Sequence, residues 1–569
     1  MKIERILLLL DMQLLHIPAS TSGGIIWQKF LPHHAKDFMP TIAISRIVLR
    51  GAHFMLLLLA TFAASFSSSV QAADLKIGLA ADISSIDPHY LNIGPNIALS
   101  SHLFDALVNV NAKGQLVPGL AVSWRAVDPI TWEFKLRPGV SFHDGTPLTA
   151  EDVVFSLERP GTLAASPGPF TTYTKQIVGK KIVDPSTLHL KTAKPYGALP
   201  LDMSTIFIVS KKAALKATTD EFNNGQAAIG TGPFKFVRFQ RGDRVELARN
   251  PSYWGDKVVW DKVTLRIITS SAPRMAALLA GDVDVIESVP TTDIANLKRN
   301  AAFSLAQTVS WRTIFWTLDQ SDRPSPFITD AAGKPLPKNP LRDPRVRLAI
   351  SQSINRTALV ARTMEGLAQP ASNLVAPGIF GYNAALKAQT YNPEGAKKLL
   401  AEAGYPNGFN ITLHGPNNRY INDEQVIQTM AQFLSRVGIR AKVTTMPLAV
   451  YFGRARAGEF SMALLGWGTL AGDFGLRTLV GTPDAATGWG SWNWGKYSNP
   501  AADLLVSRAL ASVDANTREA LARDAAQLVM QDNAIIPMHH QVASWAMRKG
   551  IQTTPRVDEF TFAHQFKAE

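Results

Sequence analysis

Three groupings in the chain have residue types and spacing that could do chemistry. His143-Asp144 lies in "HDGT", His539-His540 in "IIPMHH", and Asp282 and Asp284 stand two apart in "AGDVDVIES". The first could be half of a catalytic pair, but it reads better as a polar turn before a capped helix. The second could ligate a metal, but adjacent histidines on a strand point to opposite faces. The two aspartates share one strand face, as paired acid and base carboxylates would, yet nothing beside them supplies a nucleophile or an oxyanion hole. No GxxxxGK[ST] phosphate loop, GxSxG elbow or HExxH helix occurs. The residues point to binding rather than catalysis: not an enzyme, with no cofactor and no metal site.

Aromatic residues carry more information. Four of the twelve tryptophans fall within 467–494, "WGTLAGDFGLRTLVGTPDAATGWGSWNW", separated by glycines. Glycine lets a backbone approach a ligand closely, and aromatic rings wall apolar-lined sites. Trp467, Trp489 and Trp492 are therefore candidate wall residues. Packing in a core is the competing reading for each of them.

Composition bounds what must position these residues. With 569 residues, two to four folded units are expected at roughly 100–200 residues each. Hydrophobic residues make up 46% and charged residues 18%, which suits a globular protein and not a disordered one. The net charge is +13, but the basic residues are scattered and form no run that would track a phosphate backbone, so no nucleic-acid partner is expected. The absence of cysteine excludes disulfides, thiolate metal sites and a lipid anchor on an N-terminal cysteine.

"SRIVLRGAHFMLLLLATFAASFSSSVQAADLKIG" orders a basic flank, an apolar run at 54–64 and a small-residue segment ending at Ala72. That order is a cleavable secretory signal peptide, with an apolar run too short for a bilayer span of about 20 residues. Residues 1–38 read as an extension upstream of the true start, Met39 being a natural one; a genuine long leader is the alternative. Removing 1–72 takes away six basic and three acidic residues. No later stretch reaches 18 consecutive apolar residues, so the mature chain is not expected to cross a membrane.

From residue 73 onward the pattern alternates strands and helices. A strand is expected at 75–80 and a helix at 95–106. A strand follows with Trp132, Phe134 and Leu136 on one face, then a helix capped by Thr149 and Asp152 and stopped by Pro160. A hairpin is expected over 233–248, turning at Arg241-Gly242-Asp243. Helices start at Asp343-Pro344 and Asn392-Pro393, and strands at 409–413 and 440–444 bracket a helix at 425–437. This is an α/β chain with a largely parallel or mixed sheet, and 340–445 forms a second α/β unit.

The order of these segments resembles the family 5 solute-binding proteins of bacterial ABC importers, the dipeptide- and oligopeptide-binding group. The resemblance is carried by "SSIDPHY", "LFDALV", "LVPGLAVSW", "TWEFKLRPGVSFHDGTPLTAEDVVFSLER", "GTGPFKFVRF", "NPSYWG", "DPRVRLAISQSINR", "NPEGAKKLLAEAGYPNGF" and "GW" at 466–467. It implies an α/β, two-lobed periplasmic-binding-protein fold of the cluster C type, with an extra subdomain inserted in lobe I. Lobe I would comprise 73–105, 225–315 and 536–569, the insertion 106–224, and lobe II 316–535. It also implies a periplasmic protein of a Gram-negative cell, without a lipid anchor. A peptide or peptide-like ligand would sit in the interlobe cleft, and permease and ATPase subunits on separate chains would receive it. A monomer suits a cleft that must open and shut. A binder of a non-peptide solute (opine-like, a sugar conjugate or a metal complex) is the alternative, and a secreted hydrolase a more distant one.

In peptide binders of this family an aspartate follows the Gly-Trp segment and holds the peptide's ammonium. Here Leu470 stands at that place, and Asp473 matches a second acidic position. Either Asp473 takes over the ammonium, or the ligand has no free amine there; the second is preferred. A buried ammonium without its partner loses roughly 2–5 kcal/mol. Arg477, and Arg419 with Tyr420 in "GPNNRY", are candidates to grip a ligand carboxylate.

Overall fold

The computed structural model describes residues 73–163 and 166–569; the expected signal peptide and leader, 1–72, lie outside the described residues. Local signals place most elements. β1 (Asp74–Leu79) opens the chain and α1 (Gly94–Leu103) follows. β2 (Ala121–Asp128) and β3 (Thr131–Leu136) form a hairpin that buries Trp132, Phe134 and Leu136 on one face. At the start of α2 (Ala150–Glu158), the Asp152 carboxylate accepts from the Thr149 N–H at 3.0 Å and from its hydroxyl at 2.8 Å, satisfying donors that the helix leaves free. β4 (Ile177–Asp184) and β5 (Thr187–Thr192) complete an antiparallel sheet in the order β2-β3-β5-β4.

β6 (Phe234–Gln240) and β7 (Arg244–Arg249) make the expected hairpin, and β8 (Lys262–Ile267) pairs with β7. α3 (Ser271–Ala280) ends on Gly281 at φ 82°, a left-handed conformation that suits glycine. Asp282 and Asp284 precede β9 (Val285–Glu287) instead of lying on it, and Asp284 accepts the Lys76 N–H at 2.9 Å. That arrangement is a turn, not a carboxylate pair. α4 (Thr291–Arg299) leads into the long β10 (Phe303–Leu318). Asp343 and Asn392 cap α5 (Pro344–Gln352) and α6 (Pro393–Glu402) with their side chains, as their positions before proline predict. The rest is β11 (Asn410–Pro416), α7 (Asp423–Ser435), β12 (Arg440–Met446), β13 (Met462–Gly468), α8 (Gly472–Leu479), α9 (Pro500–Ala511), α10 (Ala515–Gln531) and β14 (Ile535–Arg548).

One mixed sheet threads the molecule in the order β11-β13-β10-β14-β9-β1-β8-β7-β6, with β12 beside β11. β10 and β14 run through both halves: 303–309 pairs with 542–548, and 313–317 with 535–540, with a slip in register between Val309 and Thr313. Leu75, Phe104, Phe234 and Trp545 belong to the core of the first half; Trp316, Ile350, Leu413 and Phe433 belong to that of the second. A separate cluster with Phe134, Val153 and Leu188 lies under the four-stranded sheet. Phe207, Val209 and Phe222 pack into the first-half core, not into this cluster. The architecture is the two-lobed α/β fold expected from the sequence.

The strands at the sheet edges share a device. Val122 and Val127 on β2, Val178 and Val183 on β4, and Val237 on β6 are exposed, and each sits where the ladder slips register. A bulge bends an edge strand and interrupts the row of free backbone groups that would template pairing with another chain.

A buried ion pair ties the four-stranded subdomain to the first half. Arg159, just past α2, grips Asp87 of "SSIDPHY" with two hydrogen bonds, at 2.6 and 2.7 Å; the side chains are 3% and 0% exposed. Burial works to raise the Asp87 carboxyl, but Arg159 outweighs it and holds Asp87 below the usual carboxylate range. His89 completes the group, its Nε2 donating to Phe207 O at 2.8 Å and its Nδ1 accepting from Arg159 at 3.3 Å. His143 of "HDGT" is also structural: Nε2 bonds Gly232 O at 3.1 Å and Nδ1 accepts the Gly230 N–H at 3.3 Å.

Two tests follow from this packing. Replacing Arg159 leaves Asp87 buried and unpaired, so Arg159→Met is expected to cost about 3–5 kcal/mol in urea unfolding of residues 73–569; an unchanged midpoint contradicts the role given to the pair. Burial also pushes His89, His102, His143, His414 and His540 down to about 4, and His539 and His564 to about 3. The folded state keeps these rings neutral while the unfolded chain protonates near pH 6.5. Each therefore lends stability that is complete above pH 6.5 and is lost as pH falls toward 4, by up to about 1.4 kcal/mol per pH unit. Melting temperature is expected to drop steeply between pH 6 and 4; a flat profile across that window contradicts it.

Candidate ligand-binding site

The register slip frees Ser310, Trp311 and Arg312 of β10 from β14 and hands them to the loop at 556–560. Trp311 N–H donates to Val557 O at 2.8 Å. Ser310 Oγ donates to Glu559 at 2.8 Å, and Arg312 binds the same carboxylate through Nη2 at 2.7 Å and Nε at 3.1 Å. On the other side β13 pairs with β10, setting Trp467 opposite Thr313, Gly466 opposite Ile314 and Gly468 opposite Arg312.

That register explains Gly-Trp-Gly. A Cβ on Gly466 would lie 2.6 Å from the Tyr420 ring and from Ile314, and one on Gly468 2.5 Å from Trp311 Nε1. Both glycines make room for the protein's own aromatic rings. From sequence, glycine here lets the protein's backbone approach a ligand closely; the space beside these two is taken by Tyr420, Ile314 and Trp311 instead. Tyr420 is buried, packs in the second-half core and donates its hydroxyl to Gly466 O at 3.3 Å. It supports the floor of the site instead of gripping a carboxylate.

The tryptophans divide between core and wall. Trp494 is buried in a cluster with Tyr451 and Phe460. Trp492 is half-buried, with ring centroids 5.4 Å from both Trp467 and Trp494, and Arg456 lies 5.8 Å above it. Trp489 is half-buried and presses on Gly481, where a Cβ would meet the ring at 2.9 Å. The indole N–H groups of Trp467 and Trp311 are buried with no acceptor among the described residues. The indole N–H groups of the core residues Trp316 and Trp494 are likewise without an acceptor among the described residues.

The three candidates on the following loop go to different places. Leu470 joins a small apolar cluster with Ile379, Val557 and Trp311; a Cβ on Gly114 would lie 2.9 Å from the Leu470 side chain and 3.1 Å from Val557. A carboxylate there, half-buried, would have these apolar side chains as its neighbours. Asp473 is 0% exposed and bound by Arg518 at 2.6 and 3.0 Å, so both its oxygens are committed and it does not take over an amine. Arg477, on the last turn of α8, stacks on Phe474 at 5.0 Å and leaves its buried Nε without a partner among the described residues. Its field reaches Asp202, whose carboxyl accepts from the Tyr196 hydroxyl at 2.8 Å. Burial pushes Asp202 up to about 7, against the pull of Tyr196, Arg477 and Arg518.

Arg419 lies in the loop after β11. The Asp423 carboxylate folds that loop by accepting the N–H groups of Arg419 and Tyr420, at 2.9 and 3.1 Å. The Arg419 side chain is exposed, stands 5.5 Å from the Tyr420 ring, and forms no ion pair among the described residues. The acids near the floor are already engaged: Glu559 with Arg312, Asp558 with Arg556, Asp473 with Arg518. Among the described residues the site therefore has unpaired cations and no unengaged carboxylate beside Leu470. Next to the Arg419 loop, Thr291, Thr363, Asn422, Gln425, Gln428 and others line an open polar groove of about 390 Å³.

His539 and His540 are 0% and 1% exposed, and His540 Nδ1 bonds Thr313 at 2.9 Å. Sequence reading missed Trp311, Arg312, Glu559, Arg518 and the Tyr196–Asp202 pair. None sits in a recognisable motif; Arg312 and Glu559 lie 247 residues apart and Arg518 and Asp473 45, while Tyr196 and Asp202, six apart, show no pattern that marks them as a pair.

Comparison with known proteins agrees with the geometry. The family model described as bacterial extracellular solute-binding proteins, family 5 Middle, matches residues 115–481. A dipeptide-binding protein of Escherichia coli (strain K12) is 29% identical over 523 residues, covering 86% of this chain and 93% of that one. The glutathione-binding protein GsiB of Shigella boydii serotype 4 is 28% identical over 484 residues, covering 83% and 90%. Among solved structures, the periplasmic binding protein DppA of Helicobacter pylori, in complex with the peptide STSA, has a TM-score of 0.71 at 26% identity, covering 88% of this chain and 99% of that one. All three relatives are named as binding proteins, and the Helicobacter pylori one as ABC transporter-associated. The chain belongs to the family 5 bacterial extracellular solute-binding proteins, the solute-capturing components of ABC importers.

Proposed function

We propose that this protein captures a peptide-like solute whose amino end is blocked, bonded within the ligand or absent, and which presents a carboxylate. It works in the periplasm as a monomer and delivers the solute to a permease with its ATPases. The observation that carries this reading is Leu470, seated among Ile379, Val557 and Trp311 with each acid around it already paired. An ammonium placed there would lose its water and gain no carboxylate, at a cost of roughly 2–5 kcal/mol, or 30-fold to several thousand-fold in affinity. Trp467 and Trp492 form one wall, with Trp489 at its margin. Arg419 supplies the anion contact, and Arg477 stands further along α8. The names of the relatives, dipeptide- and glutathione-binding, support the peptide-like class. The groove beside Asn422, lined by threonine hydroxyls and side-chain amides with Arg362 and Glu365 among them, favours a second reading, a ligand with a hydroxyl-rich portion such as a sugar conjugate.

Thermal shifts of residues 73–569 test the reading. Free-amine di- to pentapeptides are compared with their N-acetylated forms, since saturation at 100 times Kd adds about 2.7 kcal/mol. Stabilisation by N-acetylated peptides, and little by free-amine ones, is expected; stabilisation by free-amine peptides alone overturns it. Arg419→Gln is expected to weaken an N-acetylated tripeptide about tenfold or more in calorimetry while leaving the melting temperature of the unliganded protein unchanged, because Arg419 carries no ion pair. The same tripeptide with an amidated C-terminus should bind wild type and variant alike. A loss that is equal for acid and amide removes Arg419 from the site.

A further inference from the structure

The four-stranded subdomain is fastened to the first half by buried contacts. Besides Arg159–Asp87, Arg556 donates to Val110 O at 3.0 Å and the Val557 N–H to Ala112 O at 2.9 Å. Its meeting with the second half is different in kind. One loop, residues 194–202, rests on the turn between α9 and α10. The Gly197 N–H donates to Leu510 O at 2.9 Å, and Gly197 O accepts from Arg518 Nη1 at 3.1 Å. Arg518 is held in place within the second half by Asp473 and by the Phe380 ring, 4.7 Å away. The fit leaves no room for a side chain: a Cβ on Gly197 would lie 1.8 Å from Ser512 O.

The covalent route makes this seam conditional. β10 and β14 join the two halves, and the chain enters the subdomain from the first half and returns to it. A rotation of the halves about those two strands would part Gly197 from Leu510 and Arg518, lift Val513 from the subdomain cluster and draw Leu470 away from Gly114, while the cores of the two halves stay packed. Arg518 and Asp473 would stay paired, so neither would be left as a lone buried charge, while Asp202 would lose the pull of Arg477 and Arg518. In hydrogen bonding the change is small, two bonds exchanged for bonds to water, and the apolar contacts at Val513 and Leu470 add to what holds the seam shut.

We propose that this seam is a latch for the closed form: the 194–202 loop of the subdomain docks on the Arg518–Asp473 pair when the cleft shuts and lifts off when it opens. The subdomain is then a working part of the clamp. Closure is selected by a backbone contact about Gly197 as well as by the ligand.

The chain has no cysteine, so Ser186→Cys in the β4–β5 turn and Leu504→Cys on α9, both exposed positions, give unique sites for spin labels. Double electron–electron resonance is recorded on unliganded residues 73–569 carrying this pair, on the same chain with Gly197→Leu or Gly197→Ala, and on a Gly161→Ala control, where a Cβ meets nothing within 4 Å. The short-distance population is expected to fall about tenfold in Gly197→Leu, to fall less in Gly197→Ala and to persist in the control, with melting temperatures unchanged. Distance distributions that match the parent in both Gly197 variants overturn the latch. So does loss of the folded state in both, which would make the seam part of a core. No ligand is used, so the outcome is independent of the amine-end reading.

Discussion

The three residues of β10 that cannot pair with β14 organise the rest of the molecule. Both strands cross from one half to the other, and between Val309 and Thr313 their ladder loses register. Backbone and side chains of 310–312 must then find partners elsewhere. They find them in the loop at 556–560, through Val557 O and the Glu559 carboxylate. That single irregularity places Trp311 against Gly468, sets the Arg312–Glu559 pair near Arg419, and brings Val557 up to Leu470. A bulge in a strand re-aims side chains, and this one turns Ser310 and Arg312 onto Glu559 and Trp311 onto Gly468.

Electrostatics then decide what that space accepts. The buried acids near the floor are neutralised by arginines of the protein's own core, because a buried carboxylate without a partner is far more costly than a paired one. Arg419 has no such partner among the described residues, and Arg477 leaves its Nε unbonded. The result is a floor of indole donors and spare guanidinium groups beside an apolar leucine. In the reading proposed above, such a surface would favour oxygen acceptors and anions over an ammonium, which would lose its water there without gaining a carboxylate.

The fold was largely legible before any coordinates. Capping residues, proline stops and apolar alternation are short-range physics, so α2, α5, α6 and the β6–β7 hairpin lie where Thr149, Asp343, Asn392 and the Arg241–Asp243 turn put them. Asp282 and Asp284 were misplaced on a strand because the alternation Val283, Val285 starts one turn too early, still inside the exit from α3. The candidate site was legible in part. Trp467 and Trp492 are neighbours, as the clustering of tryptophan in glycine implied. The glycines themselves were misread, since whether a glycine faces a ligand or a neighbouring ring depends on what lies across the sheet.

By itself the sequence determined the family, the α/β class, the lack of catalytic groups and the anomaly at Leu470, all of which are written in residue types at short spacing. Only the tertiary structure decided what surrounds that leucine. Ile379, Val557 and Gly114 come from three segments separated by hundreds of residues. Asp473 looks free in sequence and is taken by Arg518, 45 residues on. The reason is physical: a side chain's availability to a ligand depends on which distant charges and surfaces already satisfy it, and pairing across the sheet, not position in the chain, brings those into contact.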